Sequence, residues 1–178
     1  MDLQYPIGKF TWNRTGEGLL ASEAERSQWI QEIEETPAHL RSAVTGLTEE
    51  QLDTPYRPGG WTVRQVVHHL ADSHLNAYTR FRLALTEDEP SIKTYNEKNW
   101  AELSDARTAP AKLSLSLLET LHARFVLLLR SIKPSDFART IKHPEMGRVT
   151  IERYLGLYAW HGRHHVAHVG SLRARKGW

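Results

Sequence analysis

The chain has 178 residues, 40% of them hydrophobic and 25% charged, with a net charge of +2. That suits one globular domain spanning residues 1–178, and it offers no electrostatic case for a nucleic-acid partner. Cysteine is absent, which excludes disulfides and thiolate metal ligands, and any thiol in the chemistry must come from another molecule.

No apolar run reaches the roughly 18 residues that a membrane span requires. The segment MDLQYPIGKF carries no basic stretch ahead of an apolar one, so it does not read as a secretory signal, and the expected compartment is the cytoplasm.

Four long helical patterns follow in chain order. The first is predicted over Ser22 to Val44, with Trp29, Ile33, Leu40 and Val44 near helical spacing and a kink or break at Pro37. The second is predicted over Thr62 to Thr86. Thr62 and Gln65 form a capping box after the breaker Pro58-Gly59-Gly60, and the apolar stripe runs through Val63, Val66, Val67, Leu70, Ala77, Phe81 and Leu85. Residues 87–110 read as a polar connection with one short helix around Glu97 to Leu103.

The third long helix is predicted over Ala111 to Ile132, with a stripe of Leu113, Leu117, Leu121, Phe125, Leu128 and Leu129. Residues 133–149, with Pro134, Pro144 and Gly147, read as loop, and no segment shows strand alternation. The fourth helix is predicted over Thr150 to Arg175, its basic end (Arg173, Arg175 and Lys176) complementing the helix dipole. Four amphipathic helices of this length make an all-α four-helix bundle with a short extra helix in one connection.

The fourth helix carries WHGRHHVAH, four histidines in nine residues. At 100° per residue, Tyr154, Leu157, Tyr158, His165, His168 and Leu172 all fall within about 60° of His161. Histidines thus stand where a bundle places leucines. His161 and His165 have the i, i+4 spacing by which one helix offers two ligands to one metal, while His164 and His168 form a competing pair. Several buried imidazoles without a shared partner would leave too many ring nitrogens unsatisfied.

A third ligand is expected from a facing helix. In VVHHLADSH, His74 lies inside the apolar stripe, His69 at its flank, and His68 points away; periodicity alone leaves His69 and His74 both open. His122 and His143 read as packing or surface residues. Three histidines suit Zn(II) or Ni(II), and also Mn(II), Fe(II) or Co(II), and three protein ligands leave a position open for chemistry.

YPIG near the N-terminus, LDTPYRPGGWTVRQVVHHLADSH from Leu52, and LGLYAWHGRHHVAH from Leu155 together resemble the DinB/YfiT-like family, the YfiT branch closely. The resemblance implies a four-helix bundle, usually a homodimer, holding one divalent metal per chain. Carried over by motif, the ligands are His69, His161 and His165. Gly162 and Arg163 depart from the Ser and His of that pattern, at positions that bear no ligand. The implied activity is that of a metal-dependent hydrolase acting on a small molecule. Related thiol S-transferases make a low-molecular-weight thiol such as bacillithiol an alternative nucleophile to water.

Beyond the ligands, Asp72 is a candidate to orient His69 or to act as base, with solvated helix surface its plain alternative. Tyr154, Tyr158 and His168 are candidates to line the pocket. Arg80, Arg163 and Arg173 are candidates to attract an anion, with surface solvation the expected role of each. The sequence does not define a dimer face; Trp12, Trp100 and Trp178, expected to be exposed, are candidates for it. The rival reading is a bundle that a metal merely staples, with no activity.

Overall fold

The computed structural model describes residues 2–14 and 20–178. Its long helices are α1 (Glu23–Val44), α3 (Val63–Thr86), α6 (Ala111–Arg130) and α7 (Ile151–Lys176). Between α1 and α3 lies α2 (Glu49–Leu52), and between α3 and α6 lie α4 (Glu97–Ala101) and α5 (Ser104–Thr108). The expected extra helix is therefore two short ones, separated at Glu102 and Leu103. Reciprocal capping boxes start α1 (Ser22 with Glu25), α2 (Thr48 with Gln51) and α3 (Thr62 with Gln65). At its far end α7 stops on Gly177, whose φ of 69° suits glycine.

Helix α1 packs on α6 and α7, and α3 packs on the same two, so α1 and α3 occupy opposite corners of the bundle. Pro37 does not break α1. The helix continues through it, leaving the carbonyl of Ile33 without its usual donor four residues on.

Two further features depart from the sequence reading. A β-hairpin, β1 (Thr140–His143) paired with β2 (Gly147–Thr150), occupies part of the expected loop. Strands of four residues are too short for alternation to register, and Gly147 at φ 70° supports the tight turn between them. On α6, Leu113 and Leu117 are exposed, while Ala111, Leu115, Leu118, His122, Phe125, Val126 and Leu129 form the buried face. Leucines lie all round this helix and the buried stripe runs through a histidine, so counting leucines gave the wrong phase at Leu113 and Leu117, while Phe125 and Leu129 are buried as expected.

The apolar core is split into two halves. One holds Ile30, Ile33, Ala77, Phe81, Phe125, Leu129, Leu155 and Ala159. The other holds Leu40, Val66, Leu70, Leu115, Leu118, Val169 and Leu172. Between the halves, every long helix contributes polar or irregular positions: Thr36 and Pro37 on α1, His74 on α3, His122 on α6, and His161 to His168 on α7. A polar layer thus crosses the bundle at mid-height, and it is this layer that positions the site.

Close approach of α1 and α7 beside that layer requires Gly162. A Cβ there would stand 2.4 Å from the Oγ1 of Thr36, which is buried and donates to the Glu32 carbonyl. Gly162→Ala is expected to destabilise the fold by about 1–2 kcal/mol, overpacking outweighing the helix-propensity gain. Thr36→Ala in the same chain should restore part of the loss. Urea midpoints of the two single variants and the double variant check this.

Candidate metal centre

His69 comes from α3, and His161 and His165 from successive turns of α7. One ring nitrogen from each can be chosen so that all three lie within 4.8 Å of one another. The Nε2 atoms of His69 and His161 are 3.3 Å apart. Two nitrogens at the usual Zn–N length subtend about 3.3 Å across a tetrahedral angle, so this pair has the spacing that one cation requires.

Hydrogen bonding dictates which nitrogen each imidazole presents. His122 Nδ1 lies 2.6 Å from the Ile33 carbonyl, which can only accept, so Nδ1 carries the proton. A neutral His122 then accepts at Nε2 from His74 Nδ1 at 2.9 Å. His74 in turn accepts at Nε2 from His161 Nδ1 at 3.3 Å. The lone pair of His161 is thereby left on Nε2. The acceptor that anchors this relay is the carbonyl freed by Pro37.

A second relay has the same logic. The Gln4 carbonyl accepts from His168 Nε2 at 3.1 Å, and His168 Nδ1 accepts from His165 Nδ1 at 3.3 Å. His165 is also left with its lone pair on Nε2. Metal-ligating histidines are commonly oriented through the second nitrogen in this way.

Burial keeps the relays neutral. It pushes His69 and His122 down to about 4, the nearby His164 imidazole adding to the effect at His69. His74, His161 and His165 are driven well below the ordinary imidazole value, first by burial and then by neighbouring imidazoles. A neutral imidazole is the form that binds a metal.

Aromatic rings hold the layer in place. Trp61 follows the turn in which Gly59 takes φ 66°, and its ring lies 4.6 Å from that of His69. Tyr56 stacks on His168 at 4.0 Å, and Trp160 on His164 at 4.3 Å. The three candidate ligands open onto a cavity of about 350 Å³, whose wall includes Trp61, Ser73, Arg80, Tyr95, His143 and Tyr158.

The other candidates sort clearly. Tyr158 lines the cavity, Tyr154 belongs to the core beside it, and His168 serves the second relay. His68 is buried and bonds to Ser114 and the Ala109 carbonyl, so it does not point to solvent. Asp72 is absent from the cavity wall and makes no hydrogen bond to His69. It lies three residues further round α3, where burial and then Asp105 raise it to about 6.

Arg173 donates to the Ser42, Ala43 and Thr45 carbonyls at the end of α1, and Arg163 pairs with Glu32. Trp100 is exposed, whereas Trp12 and Trp178 are half-buried. His122, read as a packing residue, anchors a relay, and His143 reaches the cavity from the hairpin that the sequence hid. Arg80, expected at the surface, is buried in the cavity wall.

Residues 32–169 match the model of the DinB superfamily. The chain belongs to that superfamily. It is 53% identical over its full length to an Oceanobacillus iheyensis protein, and 53% identical over 99% of both chains to one from Bacillus mycoides. Both relatives carry the name "putative metal-dependent hydrolase". Among solved structures, YfiT from Bacillus subtilis superposes with a TM-score of 0.94 at 50% identity, covering 100% of this chain and 99% of that one. It is described as a probable metal-dependent hydrolase with an unusual four-helix bundle topology. A second four-helix bundle protein aligns at TM-score 0.55 and 21% identity, over 86% of this chain and 99% of its own, and shares the fold. No helix among the described residues is long and apolar enough to cross a membrane.

The depressed imidazoles make a pH prediction. Unfolded, these histidines take up protons near the ordinary value of 6.5, whereas folded His69 and His122 hold out to about 4. Between those limits the unfolded chain binds more protons, so stability falls as pH falls. The urea midpoint of the metal-free protein should be flat above pH 6.5 and decline steadily toward 4. Added zinc should carry the plateau to lower pH.

Proposed function

We propose that the protein is a metal-dependent hydrolase or thiol transferase in which His69, His161 and His165 hold one divalent ion, zinc or nickel before manganese, iron or cobalt. The carrying observation is the pair of carbonyl-anchored relays, which place the lone pairs of His161 and His165 on Nε2, beside His69 at a cavity wall. Bound there, such an ion supplies a Lewis acid and brings the pKa of water or of a thiol toward neutrality.

The chain's own groups do the rest. The relays fix the imidazoles in orientation and tautomer. Trp61 and Trp160 form apolar parts of the cavity wall. Burial raises Tyr95 to about 12 and also raises Tyr158, so both phenols stay protonated and can donate to a developing negative charge. With no cysteine in the chain, a thiol nucleophile would be a separate small molecule, bacillithiol being the type. The same reading includes a cytoplasmic setting and a homodimer, for which Trp100 and the exposed leucines Leu103, Leu113 and Leu117 offer apolar surface.

Two experiments test it. Protein reloaded with zinc, nickel or manganese is assayed on aryl esters and amides, with and without a small thiol. Activity should appear with metal, vanish on chelation and return on reloading. Turnover that needs the thiol selects the transferase branch, and turnover without it selects the hydrolase branch. A tightly bound metal with no turnover in either branch would favour the stapled bundle. The second measurement is metal affinity by competition with a chromophoric chelator. His122→Ala, which touches no ligand nitrogen, should weaken binding about 10–100-fold by releasing His74 and hence His161.

A further inference from the structure

Two arginines among the described residues are almost fully buried, Arg64 at 3% exposure and Arg80 at 8%. Arg64 is matched by Asp53 and Glu49, each at 2.6 Å. The half-buried Arg26 is matched by Glu152 at 3.1 Å. Of the two almost fully buried arginines, only Arg64 is so matched: among the described residues, no carboxylate lies within 4 Å of the Arg80 guanidinium, as is also true of the half-buried Arg153.

Its contacts are neutral. Nη1 donates to the Tyr154 hydroxyl at 3.4 Å, a long bond, and Nη2 to the Lys93 carbonyl at 3.1 Å. Tyr158 is also within reach of the group. A guanidinium has five N–H donors in a planar fork, so this set leaves donors unused on a side chain that lines the same cavity as the histidines. A buried charge held by neutral groups alone is costly, and the cost is relieved when a counter-ion arrives.

We infer that Arg80 is the recognition site for a carboxylate on the substrate, and that the cavity takes small organic monoanions. Arg80 lies eleven residues after His69 on α3, about 16 Å along the axis, and helical side chains lean toward the N-terminus, here toward the histidines. A substrate would lay its carboxylate on the guanidinium fork and extend its reactive group toward Nε2 of His69, His161 and His165. One guanidinium balances one negative charge. The rim carboxylates Glu97 and Glu145, both exposed, would repel a phosphate dianion more than a carboxylate. The planar fork also matches a carboxylate with two parallel hydrogen bonds.

The inference rests on the proposed function only in taking this cavity as the substrate site, and the test separates the two. A carboxylate series from acetate to benzoate is titrated calorimetrically into the metal-free protein and into the zinc-loaded protein. The neutral isostere benzamide and the dianion phenyl phosphate are titrated in parallel. At least one carboxylate should bind the metal-free protein, about tenfold or more tighter than its neutral isostere. Arg80→Met, similar in length but without N–H donors, should lose that preference while keeping its zinc and a thermal midpoint equal to or above that of the parent. Arg80→Lys keeps the charge without the fork and should show a weakened but surviving preference, which carries the test if Arg80→Met does not fold.

The inference is overturned if no carboxylate of the series binds, if benzamide or phenyl phosphate binds as tightly, or if both variants bind benzoate like the parent. Carboxylate binding that survives in a protein unable to hold zinc would leave the Arg80 site standing and remove the metal reading.

Discussion

The structure depends on one constraint: imidazoles buried across a helical bundle need partners for their ring nitrogens, which both nitrogens of His74, His122 and His168 find and Nδ1 of His164 does not. Each buried polar group left without a partner would cost about 1–3 kcal/mol. His74 and His122 alone would expose the fold to several such penalties. The solution is a chain of neutral imidazoles ending on a carbonyl, and the carbonyl is available because Pro37 sits four residues after Ile33 on α1. A residue that weakens its own helix by about 3 kcal/mol elsewhere is here the source of an acceptor. The second chain ends on Gln4, which ties the N-terminal segment to α7 through His168.

From this constraint the rest follows. The layer divides the core into two apolar halves, which hold the four helices on either side of it. Close helix approach at its edge is bounded by Gly162 against Thr36. Neutrality of the layer, forced by burial, is the state of an imidazole that binds a metal, and the fixed tautomers of His161 and His165 leave their lone pairs on Nε2. Arg80 obeys the opposite rule. It is a charged group that the fold leaves without a carboxylate, beside a face of the layer that opens to a cavity.

Much of this was legible in the residues. The helix starts were visible because Thr62 with Gln65 is a local capping signal, and His161 with His165 because i, i+4 spacing survives any tertiary context. The choice between His69 and His74 was not legible from periodicity, since both are buried and their roles differ only in whether a ring faces the cavity or the relay. The family resemblance pointed to His69, and the geometry groups His69 with His161 and His165. The relay itself was hidden because its parts, Ile33, His74, His122 and His161, lie on four different helices. Arg80 stood among three arginines that could attract an anion, but its burial was hidden because sequence reading places a lone arginine at the surface, and the hairpin carrying His143 was hidden because its strands are four residues long. Pro37 preceded by Ile33 on an otherwise apolar stripe was the one local hint that a free carbonyl lay in the core.

Metal content of the purified protein after reloading, measured by elemental analysis, tests the central claim most directly. The parent chain is set beside His69→Ala, His161→Ala, His165→Ala and His74→Ala. The expected result is about one metal ion per chain in the parent, none in the first three variants, and a retained but more weakly held ion in His74→Ala, which removes a relay imidazole and no ligand. An absence of bound metal in the parent after exposure to zinc, nickel and manganese would contradict the account, and the histidine layer would then be packing alone.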